Sequence, residues 1–261
     1  MRVRVRFSKY GFARFLGHLD VMRYFQKAFR RAGLPLRYSE GFHPHPILSF
    51  AQPLSLSYTS DGEYFDMELS EKLSEKDITE RLQNAMCDGF AIGKVTVLPD
   101  FKPNEKKTSG MSLISGAMYA FTTGGIDDLK QKMQAFADRN EYLIEKTTKC
   151  GTKECNLREG VHGIAILEKG QLETILSADG WRMNAEELHR CVTHTDADAD
   201  ERLLIVALDA GSEKNISAEL FFKGFLESCG IPSDSVKKSV HRMELFGDKE
   251  GRKVPLWMIE S

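Results

Sequence analysis

The chain begins with an alternating stretch of basic and apolar residues, Arg2-Val3-Arg4-Val5-Arg6-Phe7. Its apolar side chains recur at every second position, which is the period of a β-strand. The sequence therefore predicts a strand with two different faces. One face is apolar and is expected to meet a core, and the other carries the three arginines.

A helix is predicted directly after this strand. Gly17 and His18 open a segment with helical spacing of apolar residues up to Ala32, and Gly33 and Pro35 end it. The face expected to contact the core consists of Val21, Met22, Phe25, Ala28, Phe29 and Ala32. The opposite face carries the basic residues Arg23, Lys27, Arg30 and Arg31.

The following residues predict three more strands and a second helix. Strands are expected over 47–51, 63–69 and 90–98. A helix is expected from Ser74 to about residue 87, with Asp77 placed as in a capping box. The order of elements over residues 1–100 is then β-α-β-β-α-β, which is the pattern of a ferredoxin-like domain.

Residues 101–115 are predicted to be a linker, because Pro103, three lysines, Ser109 and Gly110 lie there, just after Pro99. Beyond it, over 116–261, strands and helices alternate again. Strands are expected over 117–123, 142–148, 161–167, 172–176, 203–208 and 240–246, and helices over 127–139, 184–191 and 217–228. The sequence thus predicts a second α+β domain, for which a ferredoxin-like fold is one option.

Basic residues are concentrated at the start of the chain. Residues 1–50 hold ten Lys and Arg against two acidic residues, a net charge of +8; the other 211 residues hold 26 against 36, a net charge of −10. Such segregation is typical of nucleic-acid-binding surfaces, although a solvated basic face gives the same count. The residues expected to bind a polyanion are Arg2, Arg4, Arg6, Lys9, Arg14, Arg23, Lys27, Arg30, Arg31, Arg37, Tyr38, Ser39, His43 and His45.

The composition argues against several other classes of protein. No apolar run is long enough to span a membrane, and the basic start lacks the apolar core of a signal peptide. Five cysteines without regular spacing favour a reducing compartment, so we expect a cytoplasmic protein. The phosphate-binding loop, the serine nucleophile elbow and the cysteine run of radical SAM enzymes are all missing. We predict no bound metal or cofactor.

The His-Pro-His loop and His18 are the candidates for chemistry. His43 and His45 could contact a phosphate, transfer protons or bind a metal, but only two ligands converge and a metal site needs three or four. The candidate catalytic residues are His18, Glu40 and His43, expected around one cleft with Arg14, Asp20, Tyr38 and Ser39. A half-buried structural histidine and an arginine-paired glutamate are the simpler interpretations of His18 and Glu40.

Five motifs near the start of the chain resemble one bacterial family. They are RFSKYG at 6–11, RFLGHLD at 14–20, RRAGLP at 30–35, YSEGFHPHP at 38–46 and LSFA at 48–51. They closely resemble the radical-SAM-linked protein family, whose function is unknown and which is encoded beside, or fused to, a B12-binding-type radical SAM protein. Weaker similarity continues at 63–64, 148–158, 211–215 and 241–244. Residues 165–200 fit less well and are interpreted as an insertion.

This resemblance implies a cytoplasmic protein with a radical SAM partner, and it assigns no reaction. With the basic segment, it favours an RNA-binding accessory protein for a radical SAM enzyme in tRNA or rRNA modification or ribosome-related RNA metabolism. One alternative is a metal-independent ribonuclease or RNA-modifying enzyme that uses His18, His43 and Glu40. Another is a protein–protein adaptor whose basic face meets an acidic surface of the radical SAM partner.

Overall fold

The fold is mixed α+β, with a large, mostly antiparallel sheet. The computed structural model describes residues 1–101, 108–124, 126–148, 151–168, 171–178, 180–181, 188, 190–195, 202–232, 236 and 239–260. Five helices lie in these ranges, and none of them is both long enough and apolar enough to cross a membrane. Most of the helix predicted over 184–191 falls outside the described residues.

Strands and helices are numbered along the chain. The strands are β1 (Arg2–Lys9), β2 (Leu48–Phe50), β3 (Thr59–Glu68), β4 (Phe90–Leu98), β5 (Ile114–Thr122), β6 (Leu143–Thr148), β7 (Gly151–Asn156), β8 (Val161–Glu168), β9 (Gln171–Leu176), β10 (Leu203–Asp209), β11 (Val240–Lys249) and β12 (Arg252–Pro255). The helices are α1 (His18–Arg31), α2 (Glu75–Ala85), α3 (Gly110–Leu113), α4 (Leu129–Ala137) and α5 (Ala218–Ser228).

One sheet runs through both predicted domains. Its strands join in the order β4-β1-β3-β11-β5-β10-β8-β9, with β2 added at β3 and β12 at β11. Neighbouring strands are antiparallel except β3 and β11, which pair in parallel at His241↔Thr59 and Arg242↔Ser60. β6 and β7 form a separate hairpin. The two parts of the chain therefore meet at the contact between β3 and β11.

Most elements predicted from periodicity are present. β4 has the predicted bounds, and the Ser74 hydroxyl accepts a hydrogen bond from the Asp77 backbone N–H at 3.0 Å, which confirms the cap. The predicted linker over 101–115 is too long, because α3 and the start of β5 lie within it. The N–H of Gly110 also donates to Asp66 of β3 at 2.9 Å, so the end of this segment packs on the sheet.

The apolar face of β1 packs on α1, as predicted. Val5 and Phe7 of the strand are buried together with Phe25 and Phe29 of the helix. The rings of Phe7 and Phe25 meet edge to face with centroids 4.7 Å apart. Since side chains alternate along a strand, the arginines of β1 must lie on the face turned away from α1. What covers that opposite face decides their role.

Candidate functional site

The exposed face of α1 carries the predicted basic stripe. Arg23, Lys27, Arg30 and Arg31 are all exposed. Arg23 pairs with Asp20 at 3.3 Å, and Arg31 donates to the Ala85 carbonyl at 2.8 Å. The side chains of Lys27 and Arg30 make no hydrogen bond or ion pair within the described chain. The stripe is therefore available to an anionic partner, because little internal acid neutralises it.

Two exposed phenylalanines lie just before α1. A short 3-10 turn, Gly11–Phe15, leaves Phe12 and Phe15 exposed by 88% and 56%. The guanidinium of Arg14 lies over the Phe15 ring, 4.8 Å from its centre. Basic and aromatic side chains thus interleave at the start of α1, next to the stripe. The charge count alone did not reveal these rings as part of a surface.

The expectation that β1 presents an exposed arginine face is wrong. Arg4 is fully buried and makes a two-pronged pair with Asp66 of β3, with N–O distances of 2.8 and 2.9 Å. Its third nitrogen donates to the carbonyls of Leu256 and Ile259, each at 2.9 Å. The C-terminal residues thus cover this face, and the Arg4 charge is used inside the protein.

The other basic residues of β1 are also turned inward. Arg2 is buried, with its guanidinium stacked 3.4 Å from the centre of the Phe101 ring. Arg6 is partly buried and pairs with Glu244 of β11 at 3.0 Å, and Lys9 donates to the Leu16 carbonyl at 2.8 Å. These three and Arg4 therefore do not belong to an exposed polyanion site.

The loop at residues 38–46 lies at the surface. The backbones of Tyr38 and Pro46 form an isolated antiparallel β-bridge. The Ser39 hydroxyl and His45 Nδ1 are hydrogen-bonded at 2.9 Å. His43 and Glu40 are exposed and make no side-chain hydrogen bond or ion pair within the described residues. Arg37, just before the loop, pairs with Glu68 at 3.2 Å. The loop therefore offers histidines to solvent but has no buried charge partner of its own.

Within the described residues, no hydrogen bond or ring contact joins His18 to Glu40 or His43. His18 packs edge-on against Phe50, with ring centroids 5.8 Å apart, on the apolar side of α1. The cleft predicted to join these residues therefore stays a prediction, and the packing of His18 on Phe50 fits its structural interpretation.

A buried polar network at the β3–β11 junction was not predicted. Arg242 pairs with Glu63 through both carboxylate oxygens, with its Nε 2.8 Å from Oε1. Glu244 accepts from the Tyr64 hydroxyl at 2.5 Å and also pairs with Arg6. The sequence held one signal for such pairing. Arginines alternate along β1, and Asp66 and Glu68 alternate along β3; the observed register then places Arg4 opposite Asp66 and Arg2 opposite Glu68.

Burial shifts the titration of this network. It raises the pKa of Glu244, against the opposing effect of Arg6, and it raises the pKa of Tyr64 well above the usual value, with Glu244 adding to the effect. Burial also raises the pKa of the Cys191 thiol to about 12, although Arg6 opposes the shift. Cys191 is therefore a neutral thiol at physiological pH and not an activated nucleophile.

Asp61 joins the two parts of the chain through two histidines. His194 contacts Oδ1 through its Nδ1, and His241 Nε2 lies 3.2 Å from Oδ2. Burial alone would raise the pKa of Asp61. The hydrogen bond and charge of His241, with hydrogen bonds from His194 and Ser8, outweigh burial and hold the pKa below its usual 3.8. Asp61 is thus a carboxylate in the folded protein.

We expect the stability that Asp61 contributes to be lost in acid. A carboxyl whose pKa is lower in the folded state stabilises the fold above its unfolded pKa, and the effect disappears as the pH falls through the folded value. At about pH 5, Asp61→Asn should lower the free energy of unfolding by about 1.5–3 kcal/mol, as for hydrogen bonds to charged groups. Urea unfolding at decreasing pH measures the difference in the free energy of unfolding between the natural protein and Asp61→Asn. This difference should become smaller below about pH 4.

The exposed Asp127 provides the control for this measurement. Asp127→Asn should change the free energy of unfolding by less than about 0.5 kcal/mol, both at about pH 5 and below about pH 4. A stability gap for Asp61→Asn that stays constant into strong acid would contradict the assigned role.

Fold and surface together define an α+β protein with a basic, aromatic-flanked helix and an interior tied by ion pairs. The chain belongs to a bacterial family described as "Uncharacterized protein conserved in bacteria (DUF2344)", whose model matches residues 2–189. No curated protein was found to match the chain. The predicted membership of an uncharacterised bacterial family is confirmed. The link to a radical SAM protein stays a prediction, and His194, His241 and Glu244 lie outside the matched range.

Proposed function

We propose that this protein is an RNA-binding accessory protein that works with a radical SAM enzyme in RNA modification or ribosome-related RNA metabolism. The observation that carries the proposal is the exposed basic stripe of α1. Arg23 and Arg30 lie roughly 10 Å apart along the helix, at 1.5 Å per residue. Lys27 lies between them, so three cations follow one line on the surface and can contact successive phosphates.

The exposed rings beside the stripe favour single-stranded RNA over a duplex. Proteins that bind single strands combine a positive surface along the backbone with aromatic side chains on which bases stack. Phe12 and Phe15 supply such rings, and Arg14 lies over one of them.

The test is binding of short single-stranded RNA, measured by fluorescence anisotropy between about 50 and 200 mM salt. The triple variant Arg23→Glu/Lys27→Glu/Arg30→Glu should lose most of its affinity at low salt. The slope of log affinity against log salt should fall in magnitude by about two, because each lost phosphate contact removes about 0.7 for a single strand. Phe12→Ser/Phe15→Ser should weaken binding while the slope stays nearly unchanged.

The matched control reverses three exposed charges in the second part of the chain. Lys214→Glu/Lys249→Glu/Arg252→Glu changes the net charge by the same amount, and all three residues are exposed. This variant should keep nearly all of the RNA affinity. Equal losses in both triple variants would mean that net charge, and not the α1 surface, governs binding. Absence of binding at low salt would overturn the proposal.

The radical SAM partner is proposed from the resemblance of the motifs at 6–51. A pull-down of the neighbouring radical SAM protein from the source organism, with and without nuclease, tests it. Capture that survives nuclease supports a direct contact, and the adaptor function would then be favoured if RNA binding also fails. Capture in neither condition would contradict the partnership.

We also propose that the two parts of the chain are two ferredoxin-like units. The first is supported by the order β4-β1-β3-β2 around α1 and α2, with every pair antiparallel. The second is supported by the order β11-β5-β10-β8 around α4 and α5, again with antiparallel pairs. Both orders follow from a β-α-β-β-α-β chain.

A further inference from the structure

A cleft of about 390 Å³ lies on the face of β1 opposite α1. Arg6, Gly93, Lys94, Cys191, Glu244 and Trp257 are among its lining residues. The volume falls in the range of small-molecule sites, which begins at about 300 Å³. Because β1 separates it from α1, this cleft is a different surface from the one proposed to bind RNA.

Arg6 presents a fixed, partly unused guanidinium to this cleft. Glu244 holds its Nε at 3.0 Å, and Cys191 and Met243 contact its Nη2 at 3.1 and 3.4 Å. Within the described chain its Nη1 donates no hydrogen bond. That nitrogen lies beside Gly93, where a Cβ atom would be 3.6 Å away, so the missing side chain leaves it accessible. A guanidinium held in this way is prepared to donate to an oxyanion.

Lys94 adds a second positive charge. It is exposed, and no described carboxylate pairs with it. Its ammonium lies 5.7 Å from the centre of the Trp257 ring, near the outer limit of a cation–π contact. The ammonium can therefore turn to an anion at little cost. Arg190 also lines the cleft, and Glu244, already paired with Arg6, is its only carboxylate among the described lining residues.

Trp257 supplies a flat apolar wall beside these cations. It is partly buried in the C-terminal turn Leu256–Met258, whose Leu256 carbonyl is held by Arg4. The ring is thus anchored by a buried ion pair while one part of it stays accessible. An oxyanion donor and an indole that line the same small cleft match a ligand that has both a phosphate and a flat ring.

We propose that this cleft binds a nucleoside monophosphate, with the phosphate on Arg6 and Lys94 and the base against Trp257. This inference goes beyond the proposed function and does not depend on RNA binding by α1. The ligand can be a free mononucleotide or the end of an RNA chain, since both present the same phosphate and base.

The test is titration of the full-length protein with 5′-AMP, 5′-UMP, adenosine and inorganic phosphate, followed by tryptophan fluorescence and calorimetry. A mononucleotide should bind saturably and at least about tenfold more tightly than adenosine or phosphate, because only it engages both halves of the site. The fluorescence change should vanish in Trp257→Phe and persist in Trp181→Phe. Equal affinity for phosphate and 5′-AMP would overturn the assignment, as would the absence of nucleotide binding.

Gly93→Val provides a steric block that leaves the charges in place. The new Cβ makes only ordinary contacts, 3.5 Å from the Arg6 carbonyl oxygen, and β4 is an edge strand that accepts valine. This variant should weaken mononucleotide binding by about tenfold or more. Lys94→Ala should weaken it less, and Lys72→Ala, an exposed lysine elsewhere, should have no effect. Unchanged affinity in a folded Gly93→Val protein would overturn the site.

A short RNA with a 5′-phosphate separates the two ligand sources. If the cleft takes an RNA end, Gly93→Val should weaken the binding of this RNA. It should not weaken the binding of the same RNA without the phosphate. If it takes only free nucleotides, 5′-AMP should bind while the RNA is unaffected by Gly93→Val. RNA binding that depends on the α1 stripe alone, without mononucleotide binding, would support the proposed function and refute this inference.

Discussion

Replacing Arg242 by methionine should lower the free energy of unfolding by about 3–5 kcal/mol, the usual effect of breaking one side of a buried ion pair. Arg242 lies at the β3–β11 junction, is almost completely buried and holds both oxygens of Glu63. It also donates to the Gln52 carbonyl at 2.7 Å. The variant leaves the Glu63 carboxylate buried without its partner, and chemical unfolding followed by circular dichroism measures the loss.

The double variant Arg242→Met/Glu63→Met tests whether the unpaired, buried Glu63 carboxylate causes the loss of stability. It removes both charges, so it should be less destabilised than the single variant, although it loses one more native side chain. Arg23→Met is the control, because Arg23 and Asp20 form an exposed pair worth no more than about 1 kcal/mol. A single Arg242→Met variant as stable as the natural protein would show that the junction does not depend on this pair.

Phe25→Ala should have an effect of similar size, about 3–5 kcal/mol, because it removes a large side chain from a packed core. Phe25 is fully buried, and six described aromatic rings have centroids 4.7–5.9 Å from its own. Neighbours on α1, β1, β2, β3 and β4 meet at this one ring. The cavity left by alanine cannot close without moving several of these elements.

Phe12→Ala is the matched control for the same chemical change. Phe12 is 88% exposed, so its removal should alter the free energy of unfolding by less than about 0.5 kcal/mol. Thermal and chemical unfolding of both variants measures the contrast. A Phe25→Ala protein within about 1 kcal/mol of the natural chain would mean that this core reorganises around the cavity.

Local sequence patterns predicted the individual elements well. The period-2 alternation located β1, the helical spacing located α1 and its two faces, and Ser74 marked the start of α2. These signals are reliable because strand and helix periods are properties of the backbone, and a capping side chain acts within three residues. β7 was not predicted, since Gly151–Asn156 is largely exposed and has no apolar face.

The candidate site was predicted only in part. The basic stripe of α1 is exposed as predicted, because the face of an amphipathic helix opposite its core face lies in solvent. The predicted meeting of His18 with His43 stays a prediction, because the sequence carries no local signal of the distance between residues on different elements. The cleft beside Arg6 was not foreseen, since Lys94, Cys191 and Trp257 come from distant parts of the chain.

The sequence by itself determined that β1 has an apolar and a basic face, that α1 is amphipathic, and that the chain resembles one bacterial family. Only the tertiary structure decided what the basic face of β1 does. Arg4 meets Asp66 across 62 positions and the Ile259 carbonyl across 255 positions. An arginine is stable in water or beside a buried carboxylate, and its own sequence neighbours do not distinguish the two. The pairing of β1 with β3 and the contact with the C-terminal residues decide that Arg4 is buried.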